Sequence, residues 1–208
     1  MKLNAKELRD VKEEDIAGKL KMIKRRPMYF ILENVYDTYN IGGLFRLADA
    51  LAIEKMYICG ESEIPPNSKI KKASIGTYKV VPWEYRKTAG EVITEIRSWE
   101  LKRVKKFELE DGNESNFKLQ DSKLASKPNF HLPISIIAVE QHKKSIPYTE
   151  ATYTGPVALI LGNETSGVTE ETLKLADQIV EMPMWGINRS LNVIVSAAIV
   201  SYWAVNKI

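Results

Sequence analysis

The stretch LILGNETSGVTEETLKLADQIVEMPMWGINRSLNV, residues 159 to 193, decides how this chain is read. It sets a strand-like apolar run, a polar knot of Gly162, Asn163 and Glu164, a helical segment, a second strand and a Ser-Leu-Asn triplet in close succession. Polar clusters directly behind apolar runs are what a sheet presents where ligands gather, at the carboxyl ends of its strands. Reading outward, short apolar runs recur at 28–34 (MYFILEN), 55–60 (KMYICG), 79–83 (KVVPW, closed by Pro82), 132–140 (LPISIIAVE), 157–162 and 178–184. Between and after them lie helical patterns at 41–53 (IGGLFRLADALAI), 88–104, 168–177 and 190–205. Apolar strands alternating with helices indicate an α/β fold with a mainly parallel sheet and helices on both faces. The loops after Leu32, Ala138, Leu161 and Met184 then face one crevice.

A chain of 208 residues that is 44% hydrophobic can bury one substantial core. Residues 4–26 read as a charged helix with a narrow apolar face of Leu8, Val11, Ile16, Leu20 and Ile23. The expected organisation is a basic N-terminal helical extension over 1–27 and a main domain over 28–208, interrupted by a polar insertion at about 105–129. The longest apolar run, Val193 to Val205, is shorter than the roughly 20 residues that span a bilayer. No apolar signal core precedes it in MKLNAKELRDVKEEDIAGK, so no membrane association and a cytoplasmic location are expected. The single Cys59 and the distant His131 and His142 have no metal-ligand spacing, so metal is not expected.

Net charge is only +3, but it is unevenly spread. Residues 18–27 carry Lys19, Lys21, Lys24, Arg25 and Arg26 without an acid; LKRVKK occupies 101–106; Lys69, Lys71 and Lys72 form a third cluster. Any one of these can be plain solvated surface. Together they favour a polyanionic partner, because Lys and Arg against phosphates supply most non-specific affinity for nucleic acid. Neither GxGxxG after a strand nor GxxxxGK[ST] is present, which disfavours a standard dinucleotide or ATP site.

Single residues carry two readings each. Gly162 allows a tight strand exit or a close approach to ligand. Glu164, at the edge of a buried strand, is an anchor or a site residue. Ser190 is expected to cap the last helix, with Asn192 in its first turn. Met182, Met184 and Leu191 are core or a wall for an aromatic ligand. On a helical wheel Arg46 falls outside the apolar arc of its helix, together with Gly42, Gly43 and Asp49. It is either a solvent-facing partner of Asp49 or a catalytic group, and the paired glycines one turn earlier imply that something approaches closely. Asn40 is expected to cap this helix.

NIGGLFR, ALILGNETSGVTEE and IVEMPMWGINRSLNVIVSAA, in that order, resemble the three motifs of the SpoU, or TrmH-like, RNA 2′-O-methyltransferases of the SPOUT superfamily. The resemblance spans Met28 to the C-terminus apart from the insertion. It implies a C-terminal trefoil knot, an exception to the usual rules of chain connection. It also implies S-adenosylmethionine bound in that knot, and a homodimer. Val139, Leu161, Gly162, Asn163, Met182, Met184, Ser190, Leu191 and Asn192 would hold the cofactor. Asn40, Arg46, Glu164 and Ser190 would carry catalysis. Arg46 would grip an RNA phosphate and stabilise the developing alkoxide, with a phosphate oxygen, water or Glu164 taking the proton. Lys19, Lys21, Lys24, Arg25, Arg26 and Arg46 are the expected RNA contacts. With no room before Met28 for a separate RNA-binding domain, transfer RNA is the expected substrate. Ribosomal RNA, a base nitrogen as methyl acceptor, or a non-catalytic RNA-binding role are the alternatives.

Overall fold

The computed structural model describes residues 2–99 and 133–208. The insertion expected at 105–129, the LKRVKK cluster and His131 lie outside them. Seven strands form one sheet: β1 (Arg26–Glu33), β2 (Ile53–Cys59), β3 (Trp83–Arg86), β4 (Ser135–Val139), β5 (Ile146–Pro147), β6 (Val157–Leu161) and β7 (Gln178–Glu181). Their order is β3-β2-β1-β6-β4-β7-β5, and every neighbouring pair is parallel. The central strands read as continuous apolar runs because both faces are covered. Within β1, Phe30 and Leu32 point into one core with Leu44, Phe45 and Val200, whereas Ile31 points into a second with Tyr57, Val92, Ile96 and Ile136.

The helices are α1 (Ala5–Asp10), α2 (Glu13–Leu20), α3 (Thr38–Leu51), α4 (Ser68–Ser74), α5 (89–99), α6 (Glu170–Leu173) and α7 (Val193–Val205). The α/β architecture and the parallel sheet match the reading of the sequence, but several boundaries differ. Residues 4–26 are two short helices, not one. Asn4 and Glu7 form a capping box for α1, and Val11 at its other end is extended, with ψ 137°. The break is held because the Lys79 ammonium donates to the Arg9 and Val11 carbonyl oxygens at 3.1 and 2.8 Å. Ile16 is 2% exposed and joins the main core, so the N-terminal segment is packed onto the sheet's α3 side.

Pro27 is the second residue of β1, which starts at Arg26. The β1–β2 register slips between Arg26 and Tyr29, which accommodates a residue with no N–H to give to the ladder. Pro82 likewise opens β3 and does not close it: residues Thr77–Lys79 form a 3₁₀ turn, and the Pro82 carbonyl accepts from Met56 N at 2.9 Å. The helix expected over 168–177 is the single turn of α6, capped by Thr169 and fastened through the buried Glu33 carboxylate. Glu33 accepts from Thr169 N at 2.9 Å and from the Thr172 hydroxyl at 2.5 Å.

Candidate cofactor and active site

The loops leaving β4, β6 and β7 converge with the start of α7 around a cavity of about 370 Å³. Its walls contain every residue expected to hold a cofactor: Val139, Leu161, Gly162, Asn163, Met182, Met184, Ser190, Leu191 and Asn192. Glu164 lines it as well. The convergence follows from parallel strands, which deliver all their carboxyl ends to one edge.

The loop after β6 is rigid by construction. Asn163 and Gly167 exchange backbone hydrogen bonds at 3.1 and 2.9 Å, closing a tight turn. The Asn163 amide oxygen accepts from Thr165 N and Ser166 N at 2.8 and 2.9 Å, and its nitrogen donates to the Asn34 carbonyl at 2.8 Å. Asn163 therefore shapes the wall with its side chain fully engaged. A methyl group on Gly162 would overlap the Gly167 and Val168 backbone, so glycine is required there by the chain itself, whatever ligand binds.

Glu164 stands at the turn's tip and reaches across to the β1–α3 loop. Its carboxylate accepts from Tyr36 N and Asp37 N, each at 3.1 Å, and from the Asn40 amide at 2.8 Å. Asn40 in turn accepts from the Asn192 amide at 2.9 Å, and Asn192 accepts from Ile194 N at 2.8 Å. One hydrogen-bonded chain thus joins all three motifs: Glu164 to Asn40, Asn40 to Asn192, Asn192 to α7. Two expectations change here. Asp37, not Asn40, caps α3, accepting from Tyr39 N at 2.7 Å. Asn192, not Ser190, caps α7, leaving Ser190 exposed on the cavity's loop.

Burial pushes the Glu164 carboxyl upward, but donation from Asn40, its own backbone, Tyr36 and Asp37 outweighs this and holds it below the usual carboxylate value of 4.5. A depressed folded-state value means that the ionised group stabilises the native state above that pH and loses the contribution as pH falls below it. Thermal melts should therefore show wild type more stable than Glu164→Gln at pH 7, with the gap closing below about pH 4.5. A gap that stays constant down to pH 3 would contradict the anchoring role.

Arg46 is exposed on α3, outside the apolar arc as expected, and no ion pair to Asp49 occurs among the described residues. Burial raises the Asp49 carboxyl, and the charge that offsets it is Arg25. The close approach expected at the glycines before Arg46 is made by neighbouring helices. A side chain on Gly42 would lie 2.8 Å from Ser74 N of α4, and one on Gly43 would collide with Ile194 of α7.

Arg25 is occupied structurally: its guanidinium donates to the Ile53 and Val80 carbonyls at 3.1 and 2.9 Å. Lys21, Lys24 and Arg26 are exposed, while the Lys19 side chain falls outside the described residues. Cys59 is buried and its thiol is pushed up to about 12 by burial, as a packing residue would be. Among the described residues no three His, Cys, Asp or Glu side chains gather as a metal site, and no helix is long and apolar enough to cross a membrane.

Several cavity residues went unread in the sequence. Glu140, directly behind β4, accepts from Val168 N at 2.8 Å and Gln141 N at 2.9 Å, bracing the β6 loop from the other side. Glu181, Asn188 and Ser196 also reach the cavity. An acid directly behind an apolar strand, repeated at Glu33, Glu140 and Glu181, was the available signal.

Comparison with known proteins agrees with this architecture. The tRNA (guanosine(18)-2′-O)-methyltransferase of Escherichia coli K12 is 23% identical over 187 residues, 88% of this chain and 65% of that protein. The 23S rRNA (guanosine-2′-O-)-methyltransferase RlmB of Vibrio parahaemolyticus is 25% identical over 203 residues, 98% of this chain and 67% of its own length. The chain thus spans about two thirds of the relatives it matches. Among solved structures, the TrmH/SpoU tRNA modifying enzyme of Aquifex aeolicus shares the fold with a TM-score of 0.67 at 23% identity, covering 94% of this chain and 83% of that one. The SpoU methyltransferase AviRb of Streptomyces viridochromogenes, solved with AdoMet, gives 0.66 at 23% identity, covering 89% and 59%. The SpoU rRNA methylase family model matches residues 27–127 and 127–202, the span that carries the sheet, the cavity and the Glu164–Asn40–Asn192 chain, and the protein belongs to that family.

Proposed function

We propose that this protein transfers a methyl group from S-adenosylmethionine to a ribose 2′-oxygen of RNA, with transfer RNA as substrate. The single observation that carries the reading is the cavity at the strand ends, walled jointly by the loop after β6 and the loop before α7. Its residues suit the cofactor. Leu161, Met182, Met184 and Leu191 line the cavity with apolar side chains that would take a purine. Glu140 and Glu181 place carboxylates in a pocket that would take a cation. S-adenosylmethionine supplies the methyl group on a sulfonium that is already a good leaving group.

What the protein must add is alignment of the ribose hydroxyl and stabilisation of its developing charge, and alignment alone can be worth several kcal/mol. Arg46, exposed on α3, is the cation assigned to this role. Its planar guanidinium can hold a phosphate and an alkoxide together, but it keeps its own proton. Glu164 is a positioning residue in this account: its oxygens are committed to three donors, which leaves a phosphate oxygen or water to accept the proton. Ser190 is exposed and lines the cavity, where its hydroxyl would meet ligand. Lys21, Lys24 and Arg26 would add phosphate contacts.

The same reading includes the trefoil knot and a two-fold dimer. In support of the knot, β6 inserts between β1 and β4 while β7 adds beyond β4, and α7 returns to pack on α3. In support of the dimer, Val195 and Tyr202 line one face of α7 at 45% and 52% exposure, flanked by Leu191 at 38%. Sedimentation should give twice the chain mass at micromolar concentration; a monomer with full activity would contradict it. Ribosomal RNA is the second reading, favoured by the relative from Vibrio parahaemolyticus. The cofactor assignment is tested by calorimetry and melting. S-adenosylmethionine should bind and raise the melting temperature by mass action, whereas ATP and NAD should not. Equal stabilisation by ATP would overturn it.

A further inference from the structure

A second cleft, of about 510 Å³, opens on the other side of the Glu164 anchor. The β1–α3 loop and the start of α4 line it, with Tyr36 and Tyr39 on one side and Lys69 among the residues of the other. Both tyrosines are strongly exposed, at 51% and 53%, in a chain that buries most of its large apolar side chains. They are nonetheless held in place. Tyr36 donates its backbone N–H to Glu164 at 3.1 Å and its phenol to Glu61 at 2.7 Å, so its ring is fixed at both ends. Glu61 is itself fixed by donating its N–H to Asn34 at 3.0 Å, and Asn34 accepts from the cavity residue Asn163. Tyr39 is held at its backbone by Asp37.

We propose that this cleft receives an unpaired nucleobase of the RNA substrate, stacked on Tyr36 and Tyr39. A pair of exposed, pre-positioned aromatic rings beside a polar cleft is what single-stranded RNA recognition uses, because every base has a π-face and stacking tolerates any sequence. Placement supports the idea. Glu164 is common to both sites, lining the cofactor cavity while gripping the backbone of two residues of the cleft. Tyr39 and Arg46 are seven residues apart and so share one face of α3, about 10 Å apart along its axis. Both are exposed, while between them Gly42 is packed against α4 and Gly43 against Ile194 of α7. A base on Tyr39 would thus lie within about two nucleotides' reach of Arg46, with Lys69 of the cleft wall available to a phosphate.

The inference rests on the RNA reading above, and its test separates the two. Wild type, Tyr39→Ala, Tyr36→Ala and Tyr39→Phe would be assayed for methyl transfer to transfer RNA and for S-adenosylmethionine affinity. Tyrosine ring protons would be followed by NMR as a single-stranded RNA heptamer is added. Each alanine variant should raise KM for RNA about tenfold, the loss expected for one base–aromatic stack, with cofactor affinity within twofold of wild type. Tyr39→Phe should stay near wild type, and the Tyr36 and Tyr39 ring signals should move upfield with the heptamer. Alanine variants with unchanged KM, or ring signals that ignore the heptamer, would overturn the proposal. So would alanine variants that lose cofactor affinity in parallel, since that marks a purely structural role. Ring shifts in a wild-type protein that transfers no methyl group would uphold the cleft and refute the activity.

Discussion

Arg46→Ala is expected to lower methyl transfer to RNA by roughly 10²–10³-fold, the scale of losing one pre-positioned stabiliser of developing charge. Cofactor affinity and fold should survive, because Arg46 is exposed, makes no side-chain hydrogen bond or ion pair among the described residues and does not line the cofactor cavity. Lysine at this position keeps the charge but not the planar fork, so Arg46→Lys should recover little. Asn192→Ala should fail differently. It removes the cap of α7, worth about 1 kcal/mol, and unhooks Asn40, so cofactor affinity should fall before the chemistry does. Single-turnover rates at saturating cofactor, beside calorimetric affinities, separate the two. Parallel loss of both quantities in Arg46→Ala would contradict its assignment to the RNA.

Gly162→Ala should have the second large effect, on stability and cofactor binding together. The added methyl group meets main-chain atoms of Gly167 and Val168, which cannot swing aside as a side chain can. Relief requires opening the Asn163–Gly167 turn, and with it the bonds from Asn163 to Asn34 and from Glu164 to the β1–α3 loop. Overpacking of this kind costs about 3 kcal/mol. In a chain of this size that corresponds to a fall in melting temperature of roughly 6–12 °C. S-adenosylmethionine should no longer raise the melting temperature of the variant. A normal melt with intact cofactor binding would show that the turn is more pliable than its hydrogen bonds imply.

The sheet and its ligand-binding edge were legible in the sequence pattern, whereas the residues assigned to the cofactor followed from the family resemblance. Strands buried on both faces appear as apolar runs, and parallel strands send the residues behind them to a common edge, where the residues that the resemblance implies for the cofactor line one cavity. Readings failed where a residue's role is set by something far away in the chain. Ser190 and Asn192 are both good caps; the choice falls to Asn192, whose amide also reaches Asn40, 152 positions away. Gly42 and Gly43 implied a close approach without saying by what; the close neighbours are α4 and α7. Arg25 looked like one more cation in a basic run, yet the start of β2 and the segment before β3 place two carbonyls within its reach. Local pattern carries no information on such partners.

The central claim is that the cavity behind β6 serves methyl transfer to a ribose hydroxyl of RNA. Methyl-labelled S-adenosylmethionine, the protein and unmodified transfer RNA would be incubated together, and the product hydrolysed with alkali, which cannot cut the linkage next to a 2′-O-methyl group. The account predicts label in alkali-resistant dinucleotides, and its near disappearance with the Arg46→Ala protein. Label confined to free mononucleotides, which would place the methyl group on a base, or no transfer to any RNA, would contradict it.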